Sequence, residues 1–599
     1  MRLPWLPRRL TAAFAVMVLW ASMSLATPNL SFNVAGEEEG LTTQLRAASL
    51  VSSAVAQGEV KPSDLVSAAL ADYRRLTETL YAFGHYSGTV QIRVNGREAA
   101  SMSLLSLPAQ ITRIDVRVDP GPPFRFGQTR VAPLAPGATI PEQFSPGQPA
   151  LATIIQDASR AAIVGWREAG YAKAEQGPQR IVADHRAQTL SADLTIIPGQ
   201  KLRFGSLIIK GDSAVRDARI AKIADLPEGE VFSPATMDTL GKRLRRTGTF
   251  SSVSLKEGPA QVDGTMDVEL TVVDRKPRRF GFGAELSSFE GLSLSGFWLH
   301  RNIFGGAERL RFDAEINQIA AQDNNGTDYL LRARLEFPAL VRSDTTVFVL
   351  GELESLDEPT FRSDTLELGV GITWFPRDGF EAETGVTFFR SNTNFALGQI
   401  NYTLIAFPTI VTWDRRDDPL NATGGTFLRA SATPYLGLSG TASGLRLSAD
   451  ARGYRAFGSG RFVLAGRVQW GSILGSELFE THPDMLFLSG GGGTVRGQPY
   501  ESLGIDLAPN LTIGGRSFLG TMVELRASFT DTLGGVIFAD AGYIGAGSFL
   551  DGSGDWHAGA GVGLRYNTGI GPLRVDIAAP VRGRTGEGVQ IYIGIGQAF

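Results

Sequence analysis

The sequence contains no cysteine, and histidine is scarce, with five residues in 599. The absence of cysteine excludes disulfide bonds, thiolate nucleophiles and cysteine-ligated metal sites. The histidines are His85, His185, His300, His482 and His557. They lack the spacing of metal ligands, and neither a G-x-S-x-G elbow nor a phosphate-binding loop occurs. We therefore expect neither an enzyme nor a cofactor or metal.

The chain also lacks an excess of charge of one sign and, beyond residue 26, a long apolar run. Lys and Arg number 57 and Asp and Glu 61, which gives a net charge of −4. Without a basic field or a recognition motif, nucleic acid is not expected as a partner. No later stretch approaches the ~18 consecutive apolar residues that a membrane helix needs. Any membrane crossing must therefore be made by strands.

The first 26 residues have the layout of a secretory signal peptide. Arg2, Arg8 and Arg9 precede an apolar run, 10–25, that ends in small residues before Ala26. This pattern predicts export and cleavage near Ala26. An uncleaved N-terminal anchor is the alternative, but the run is short and carries polar residues.

Glycine is abundant, with 71 residues, and some of it belongs to an internal repeat. The phrase P-G-P-P-F-R-F-G begins at Pro120, and P-G-Q-K-L-R-F-G begins at Pro198. Each opens a β-rich run that is followed by a helical stretch and a glycine-led turn, and an earlier segment repeats all but the phrase. We predict three α+β domains, each with a strand, two helices and a closing pair of strands: 27–119, 120–197 and 198–275.

From residue 276 to residue 599 the chain consists of glycine-punctuated segments in which apolar and charged residues alternate. In one of them Leu310, Phe312, Ala314 and Ile316 alternate with Arg309, Arg311, Asp313 and Glu315. Alternation gives a strand one apolar and one charged face. Because Arg or Lys facing lipid at mid-depth costs ~2–4 kcal/mol, the charged faces must line an interior. About sixteen such segments predict a closed antiparallel transmembrane β-barrel rather than a soluble sandwich.

One interruption of these segments is far longer than a hairpin turn: residues 472–510, after the eleventh predicted strand. Since short turns suffice to join antiparallel strands, this loop is predicted to fold back into the barrel. It contains the sequence GGGGTVRG, in which Arg496 is the candidate functional residue. A buried guanidinium requires a partner. The candidate is Asp540, which shares a strand face with Phe538.

These motifs resemble those of the BamA/TamA superfamily of outer-membrane assembly proteins. That family has a V-R-G-[FY] motif in the sixth extracellular loop and an F-x-D motif on a later inward-facing strand. The matching residues here are Val495, Arg496, Gly497, Phe538 and Asp540. The resemblance implies that Arg496 pins the loop to the barrel wall through Asp540. Gln498 stands where the family usually has an aromatic residue, with Tyr500 as the candidate replacement.

The α+β repeats resemble POTRA domains, which are periplasmic docking units ahead of outer-membrane barrels. The predicted fold is thus three periplasmic POTRA-like domains followed by a 16-stranded barrel in the bacterial outer membrane. Three docking units and 599 residues are similar to the TamA branch of the superfamily. That branch implies an inner-membrane-anchored, TamB-like periplasmic partner and unfolded outer-membrane clients such as autotransporters, in contact with outer-membrane lipid. A BamA-like insertase, a two-partner secretion transporter and a passive channel are the alternatives.

The first and last predicted barrel strands must pair to close the ring, and both are rich in glycine. The candidate seam residues are Phe280, Gly281, Gly283, Gly594, Gly596 and Phe599. Because glycine removes cross-strand contacts worth about 0.2–1 kcal/mol each, this seam is predicted to be weak. A client strand would then pair with an opened edge without any nucleotide. On this hypothesis cysteines at Gly283 and Gly594 should crosslink; the alternative is that the glycines only ease curvature.

Overall fold

The structure, a computed structural model, describes most of the chain. The described ranges are 28–36, 39–58, 61–103, 107–287, 291–320, 326–358, 361–395, 398–508, 511–569, 571–585 and 588–595. The predicted signal peptide lies outside these ranges, as do Gly596 and Phe599 of the predicted seam. Within them, no helix has the length and apolarity needed to cross a bilayer.

The N-terminal part of the chain forms three small sheets, each with its own helices. The helices are α1 (Glu39–Ala48), α2 (Leu50–Gln57), α3 (Pro62–Ala82), α4 (Ala152–Glu168), α5 (Asp217–Ala224) and α6 (Pro234–Arg246). The strands are β1 (Asn29–Val34), β2 (Thr89–Val94), β3 (Arg97–Glu98), β4 (Arg113–Asp119), β5 (Arg125–Ala132), β6 (Glu175–Asp184), β7 (Thr189–Ile197), β8 (Arg203–Lys210), β9 (Phe250–Ala260) and β10 (Thr265–Asp274). Their orders are β1-β4-β2-β3, β5-β7-β6 and β8-β10-β9.

The number of helices differs among the three α+β units. The third has two, α5 and α6, as predicted, but the first has three and the second has only α4. In the first unit Ser49 ends one helix and caps the next, since its side chain accepts a hydrogen bond from the Ser52 amide. In the second unit the segment 133–150 contains five prolines, which remove the amide donors that a helix needs.

The last helix of each unit is followed by a glycine at the position that the repeat predicts. Gly84, Gly170 and Gly248 have φ values of 84°, 99° and 71°. Residues with a side chain rarely adopt this left-handed conformation, so glycine ends the helix and redirects the chain. The three units thus share the turn that leads from the helix into the closing strands.

The C-terminal part forms a closed antiparallel barrel, as predicted. Its strands and the hairpin of its long loop are β11 (Arg278–Ser287), β12 (Gly291–Arg301), β13 (Arg309–Ile319), β14 (Asp328–Pro338), β15 (Thr345–Asp357), β16 (Phe361–Arg377), β17 (Phe380–Phe395), β18 (Gly398–Ala406), β19 (Thr409–Asp414), β20 (Gly424–Ser439), β21 (Gly444–Phe457), β22 (Phe462–Leu474), β23 (Ile505–Ala508), β24 (Leu511–Ile513), β25 (Ser517–Ser528), β26 (Leu533–Gly545), β27 (Asp555–Thr568), β28 (Gly571–Arg582) and β29 (Gln590–Ile595). The ring runs from β11 to β22 and from β25 to β29, which returns to β11.

The ring has seventeen strand segments but sixteen strand positions, because β18 and β19 are two halves of the eighth strand. Both halves pair with β17 in one continuous register, from Phe395↔Gly398 through Thr387↔Ala406 and on to Thr384↔Thr409. The interruption falls at Phe407 and Pro408. Proline has no amide hydrogen, so one backbone donor of the ladder is missing there, while Pro408 O accepts from the Gly385 amide at 3.1 Å and the Phe407 amide donates to Pro434 O at 2.8 Å.

The two faces of the barrel strands agree with the alternation in the sequence. Leu331 and Leu353 point outward and are about half exposed, at 48% and 53%. Charged side chains point inward and pair across strands; Arg334 Nη2 lies 2.7 Å from Glu383 Oε2. Arg332 Nε lies 2.5 Å from Glu352 Oε2. The outward face therefore suits hydrocarbon and the inward face suits water.

Two turns of the barrel are packed into the hydrophobic core of the third α+β unit. Ala307 and Ala339 are each 1% exposed within that core. Next to them, Arg219 Nη2 of α5 donates a hydrogen bond to Pro338 O at 2.5 Å. The third unit and this rim of the barrel are thus held by shared apolar packing as well as by polar contacts.

Candidate functional site

The long loop between the eleventh and twelfth strands lies in the barrel lumen. It runs from residue 475 to residue 516, a few residues later than the predicted 472–510, because β22 extends to Leu474. An apolar cluster fixes it to the wall: Ile473, Leu486, Phe487, Leu503, Phe518 and Ile544. The loop is therefore a packed part of the barrel.

Arg496 is buried at the wall, and the structure places it on Asp540. The Arg496 side chain is 1% exposed and that of Asp540 is fully buried. Arg496 Nε lies 2.7 Å from Asp540 Oδ2, and Nη2 lies 3.0 Å from Oδ1. The Arg496 amide also donates to Oδ2, at 3.1 Å. This bidentate arrangement is the strongest geometry that an arginine makes with a carboxylate.

Two further carboxylates and an aromatic ring complete the surroundings of Arg496. Its Nη1 lies 2.7 Å from Glu524 Oε1 and 3.5 Å from Asp576 Oδ2. The guanidinium carbon lies 3.6 Å from the centroid of the Phe538 ring, in a cation–π contact. Phe538 thus contacts the same guanidinium as the three acids.

The charges around Arg496 are balanced by two more arginines. Arg526 Nη2 lies 2.8 Å from Glu524 Oε2, and Arg565 Nη1 lies 2.5 Å from Asp576 Oδ1. Three cations therefore face three carboxylates in a site closed to water. A buried charge is tolerated only when it is paired and hydrogen-bonded, and that condition is met here. We call this cluster the lock: Arg496, Arg526, Arg565, Glu524, Asp540 and Asp576.

The lock fits against β27 because three successive inward positions of that strand are glycines. A Cβ at Gly559 would lie 2.0 Å from the Arg496 carbonyl oxygen. At Gly561 it would lie 2.5 Å from Phe538, and at Gly563 it would lie 2.0 Å from Asp576. The alternating G-x-G-x-G of β27 therefore provides the space in which the loop and the lock lie.

The residues beside Arg496 hold the loop to the last three strands, β27, β28 and β29. Val495 is fully buried. Gly497 has φ of 90°, and its amide donates to the Tyr592 hydroxyl on β29 at 3.2 Å. Gln498 Nε2 donates to Ala558 O at 2.8 Å and to Arg582 O at 3.0 Å, and its Oε1 accepts from Thr585.

The place of the family's aromatic residue is thus filled by an amide side chain that hydrogen-bonds to the wall. Gln498 is fully buried, whereas Tyr500 is 41% exposed. Tyr500 does not take over the buried position.

The predicted seam residues lie on β11 and β29, but the register differs from the prediction. Described pairing between the two strands consists of Leu286↔Ile593 and Ser287↔Tyr592. In an antiparallel pair this register sets Glu285, not Gly283, opposite Gly594. The crosslink predicted between positions 283 and 594 is therefore two residues out of register, because closure of the whole ring sets this register and leaves no local signature in the sequence.

On its other side β11 is fully paired with β12. Phe280 faces Trp298, Gly281 faces Phe297 and Gly283 faces Ser295. Gly281 has a packing role in addition to any effect on the seam, because a Cβ there would lie 2.1 Å from the Phe297 ring. The ring of Phe297 fills the space above this glycine.

Sequence reasoning missed Glu524, Asp576, Arg526, Arg565 and Tyr592 as site residues. Each lies on an inward-facing position of an alternating strand, where charged and polar residues occur throughout the barrel. Only the strand order brings them to one place. The G-x-G-x-G spacing of β27 was the available signal, because a row of side-chain-free positions on one face indicates close approach of another chain segment.

Comparison with known proteins gives the same fold. The profile described as "Omp85 superfamily domain" matches residues 276–599, and the POTRA profile, "Surface antigen variable number repeat", matches residues 202–275. Outer membrane protein assembly factor BamA of Neorickettsia risticii (strain Illinois) is 24% identical over 442 residues, which are 68% of this chain and 57% of that protein. The chain thus spans little more than half of this curated relative.

Two solved structures share the architecture. The structure of BamA from Haemophilus ducreyi lacking POTRA domains 1–3 covers 79% of this chain and 100% of its own, with a TM-score of 0.61 and 15% identity. CdiB from Acinetobacter baumannii covers 79% of this chain and 90% of its own, with a TM-score of 0.51 and 12% identity. At these identities the likeness extends to the fold.

Proposed function

The chain belongs to the Omp85 superfamily of outer-membrane β-barrel proteins, and from this premise we propose that it assembles or translocates other outer-membrane proteins by strand exchange at its seam. In this mechanism the edges of β11 and β29 separate, and a strand of an unfolded client pairs with an exposed edge. Main-chain hydrogen bonds supply the affinity, so the step needs no nucleotide.

The observation that carries this proposal is the contrast between the seam and its surroundings. The register Leu286↔Ile593 and Ser287↔Tyr592 sets Gly594 opposite Glu285, whereas on the other side of β11 Phe280 faces Trp298 and Gly281 faces Phe297. Because glycine offers no side chain to a cross-strand contact worth about 0.2–1 kcal/mol, the seam is expected to part more easily at this position than the β11–β12 pair.

The lock supports the same mechanism, because it lies beside the seam and contacts the last strand. The Gly497 amide and the Tyr592 hydroxyl join the loop to β29. Asp576 of the lock lies on β28, which is paired with β29. The loop therefore holds the strands on one side of the seam in place while the other side is free to move.

The α+β units are proposed to be docking domains of the POTRA type, with the boundaries 27–119, 120–197 and 198–275 and the barrel from 276 to 599. The profile match at 202–275 supports this for the third unit. The shared glycine turn supports it for the other two. Their number favours the TamA branch, with a TamB-like inner-membrane-anchored partner and autotransporter clients. A BamA-like general insertase is the second candidate within the superfamily.

Closing the seam covalently tests the mechanism. Leu286→Cys together with Ile593→Cys places two thiols on registered partners, whose Cα atoms lie ~4.5–5.5 Å apart, within the range of a disulfide. The oxidised protein in liposomes is expected to lose insertion of a urea-unfolded autotransporter barrel, measured by protease protection. Reduction is expected to restore it.

The matched control is Leu331→Cys with Leu353→Cys, a registered outward-facing pair on β14 and β15, away from the seam. This disulfide should leave insertion unchanged. Full insertion by the protein with the closed seam would rule out strand exchange. Wide, stable ion conductance, with insertion absent in every variant, would instead identify a passive channel.

A further inference from the structure

Among the described residues, one ion pair crosses the seam on its lumen side. Arg574 of β28 extends a guanidinium nitrogen, Nη2, to Glu285 Oε1 of β11. The strand between them is β29, on which Gly594 is the registered neighbour of Arg574. Arg574 thus reaches over the last strand to the first.

Gly594 is what permits this contact. A Cβ at that position would lie 3.1 Å from Arg574 Nε, 3.4 Å from its Nη2 and 3.5 Å from Glu285 Oε1. A methyl group there would crowd the pair and require Arg574 to shift by a few tenths of an ångström, and a larger side chain would require more. The predicted weakness of a glycine-rich seam is therefore offset at this position, because the same glycine admits an ionic contact between strands that are not neighbours.

The lock directs Arg574 toward the seam. The nearest inward-facing acid on its own strand is Asp576, and Arg565 and Arg496 both engage that carboxylate. On β11 the inward positions before Glu285 are Arg279, Gly281 and Gly283, none of which is acidic. Glu285 is therefore the acid that the first strand presents to Arg574.

The pair is suited to opening and closing. The Arg574 side chain is 10% exposed and that of Glu285 is 48% exposed. A carboxylate that is half in water loses little when its partner leaves, unlike the fully buried acids of the lock. The contact is therefore strong enough to bias the seam and weak enough to be broken by an arriving strand.

We propose that Arg574 and Glu285 form a latch across Gly594 that keeps the seam closed in the absence of a client. This inference rests on the proposed function for its purpose. A client strand that pairs with β11 must separate Glu285 from Arg574, so the latch sets how often the seam is open.

Hydrogen exchange measures the latch without any client. In the full-length protein in liposomes, exchange of the amides in 278–287 and 590–595 reports the open fraction of the seam. Glu285→Gln keeps the shape of the side chain and removes its charge; it should raise exchange in these two segments roughly two- to fivefold. Arg574→Gln should do the same.

The control is Glu352→Gln, which removes the inward ion pair with Arg332 between β14 and β15. It should leave seam exchange unchanged. Reversing the charges, with Glu285→Arg and Arg574→Glu together, should return exchange toward that of the unmodified protein. If Glu285→Gln leaves seam exchange unchanged, or raises it equally in β14 and β15, there is no latch.

A measurement of client insertion distinguishes a failure of the latch proposal from a failure of the proposed function. Glu285→Gln should also speed client insertion if the seam is the insertion site. Faster exchange without faster insertion would retain the latch and count against strand exchange. Unchanged hydrogen exchange would contradict the latch. The strand-exchange mechanism would then be tested by the disulfide experiment alone.

Discussion

The lock and the seam use the same strand, β28, but they are built in opposite ways. Asp576 points into the lock and is fully buried, whereas Arg574, two residues earlier, points to the seam and reaches a half-exposed Glu285. In the lock, removing one charge leaves its partners unpaired in a site closed to water. At the seam, water can solvate the released carboxylate of Glu285, although Arg574 is 10% exposed. Burial, more than the number of ion pairs, decides which contact is permanent and which is reversible.

The largest effect that this comparison predicts is the loss of the buried cation. Arg496→Ala leaves Asp540 with the backbone amide of residue 496 but without its charged partner, leaves Glu524 with one cation fewer, and should lower the free energy of unfolding by about 3–5 kcal/mol. Urea unfolding of the protein in detergent micelles measures it. Arg362→Ala is the control, because that arginine is 61% exposed in its ion pair with Asp357; it should change stability by less than about 0.5 kcal/mol. Equal effects of the two variants would show that the lock is not dry.

A smaller effect is expected from filling the space under the loop. Gly559→Ala adds a methyl group at the Arg496 carbonyl, which belongs to the backbone and has to shift, at a cost of about 1–3 kcal/mol in the same unfolding measurement. Gly453→Ala is the matched control on β21, since a Cβ there meets nothing within 4 Å. If both variants were equally stable, the loop would not be packed against β27.

The smallest effect concerns the residue that links the two regions. Tyr592→Phe removes the hydroxyl that accepts from the Gly497 amide, and should cost about 1 kcal/mol. Exchange of the Gly497 amide should then be about fivefold faster. Tyr543→Phe is the control, because the Tyr543 hydroxyl has no hydrogen-bond partner in the described part of the chain. Unchanged exchange at Gly497 would mean that the loop does not depend on the last strand.

The barrel was accessible to sequence reasoning because its signal is local. Alternation with a period of two assigns each residue to a face, and counting the segments gives the number of strands. The same reasoning gave Arg496 and Asp540, since one unusual arginine in a long loop needs an acid. It could not rank Glu524 or Asp576 above the other inward acids, because their convergence depends on which strands are neighbours.

The seam shows more clearly which contacts cannot be predicted from the sequence. Glu285 and Arg574 are 289 residues apart in the chain, and their contact depends on ring closure and on the register of its last pair. A shift of two residues separates the expected pairing of Gly594 from the observed one. The helices of the first two α+β units were miscounted for a different reason: the capping side chain of Ser49 and a run of prolines changed them locally.

The interruption at Pro408 has a mechanical consequence. In a ring of sixteen positions the eighth strand lies across from the junction of the first and the last. A barrel that opens along one side must bend on the opposite side, and bending is easiest where a backbone hydrogen-bond donor is missing. We expect hydrogen exchange at 398–414 to fall when the seam is held shut by a disulfide. Pro408 would then be the hinge about which the barrel bends when β11 and β29 separate.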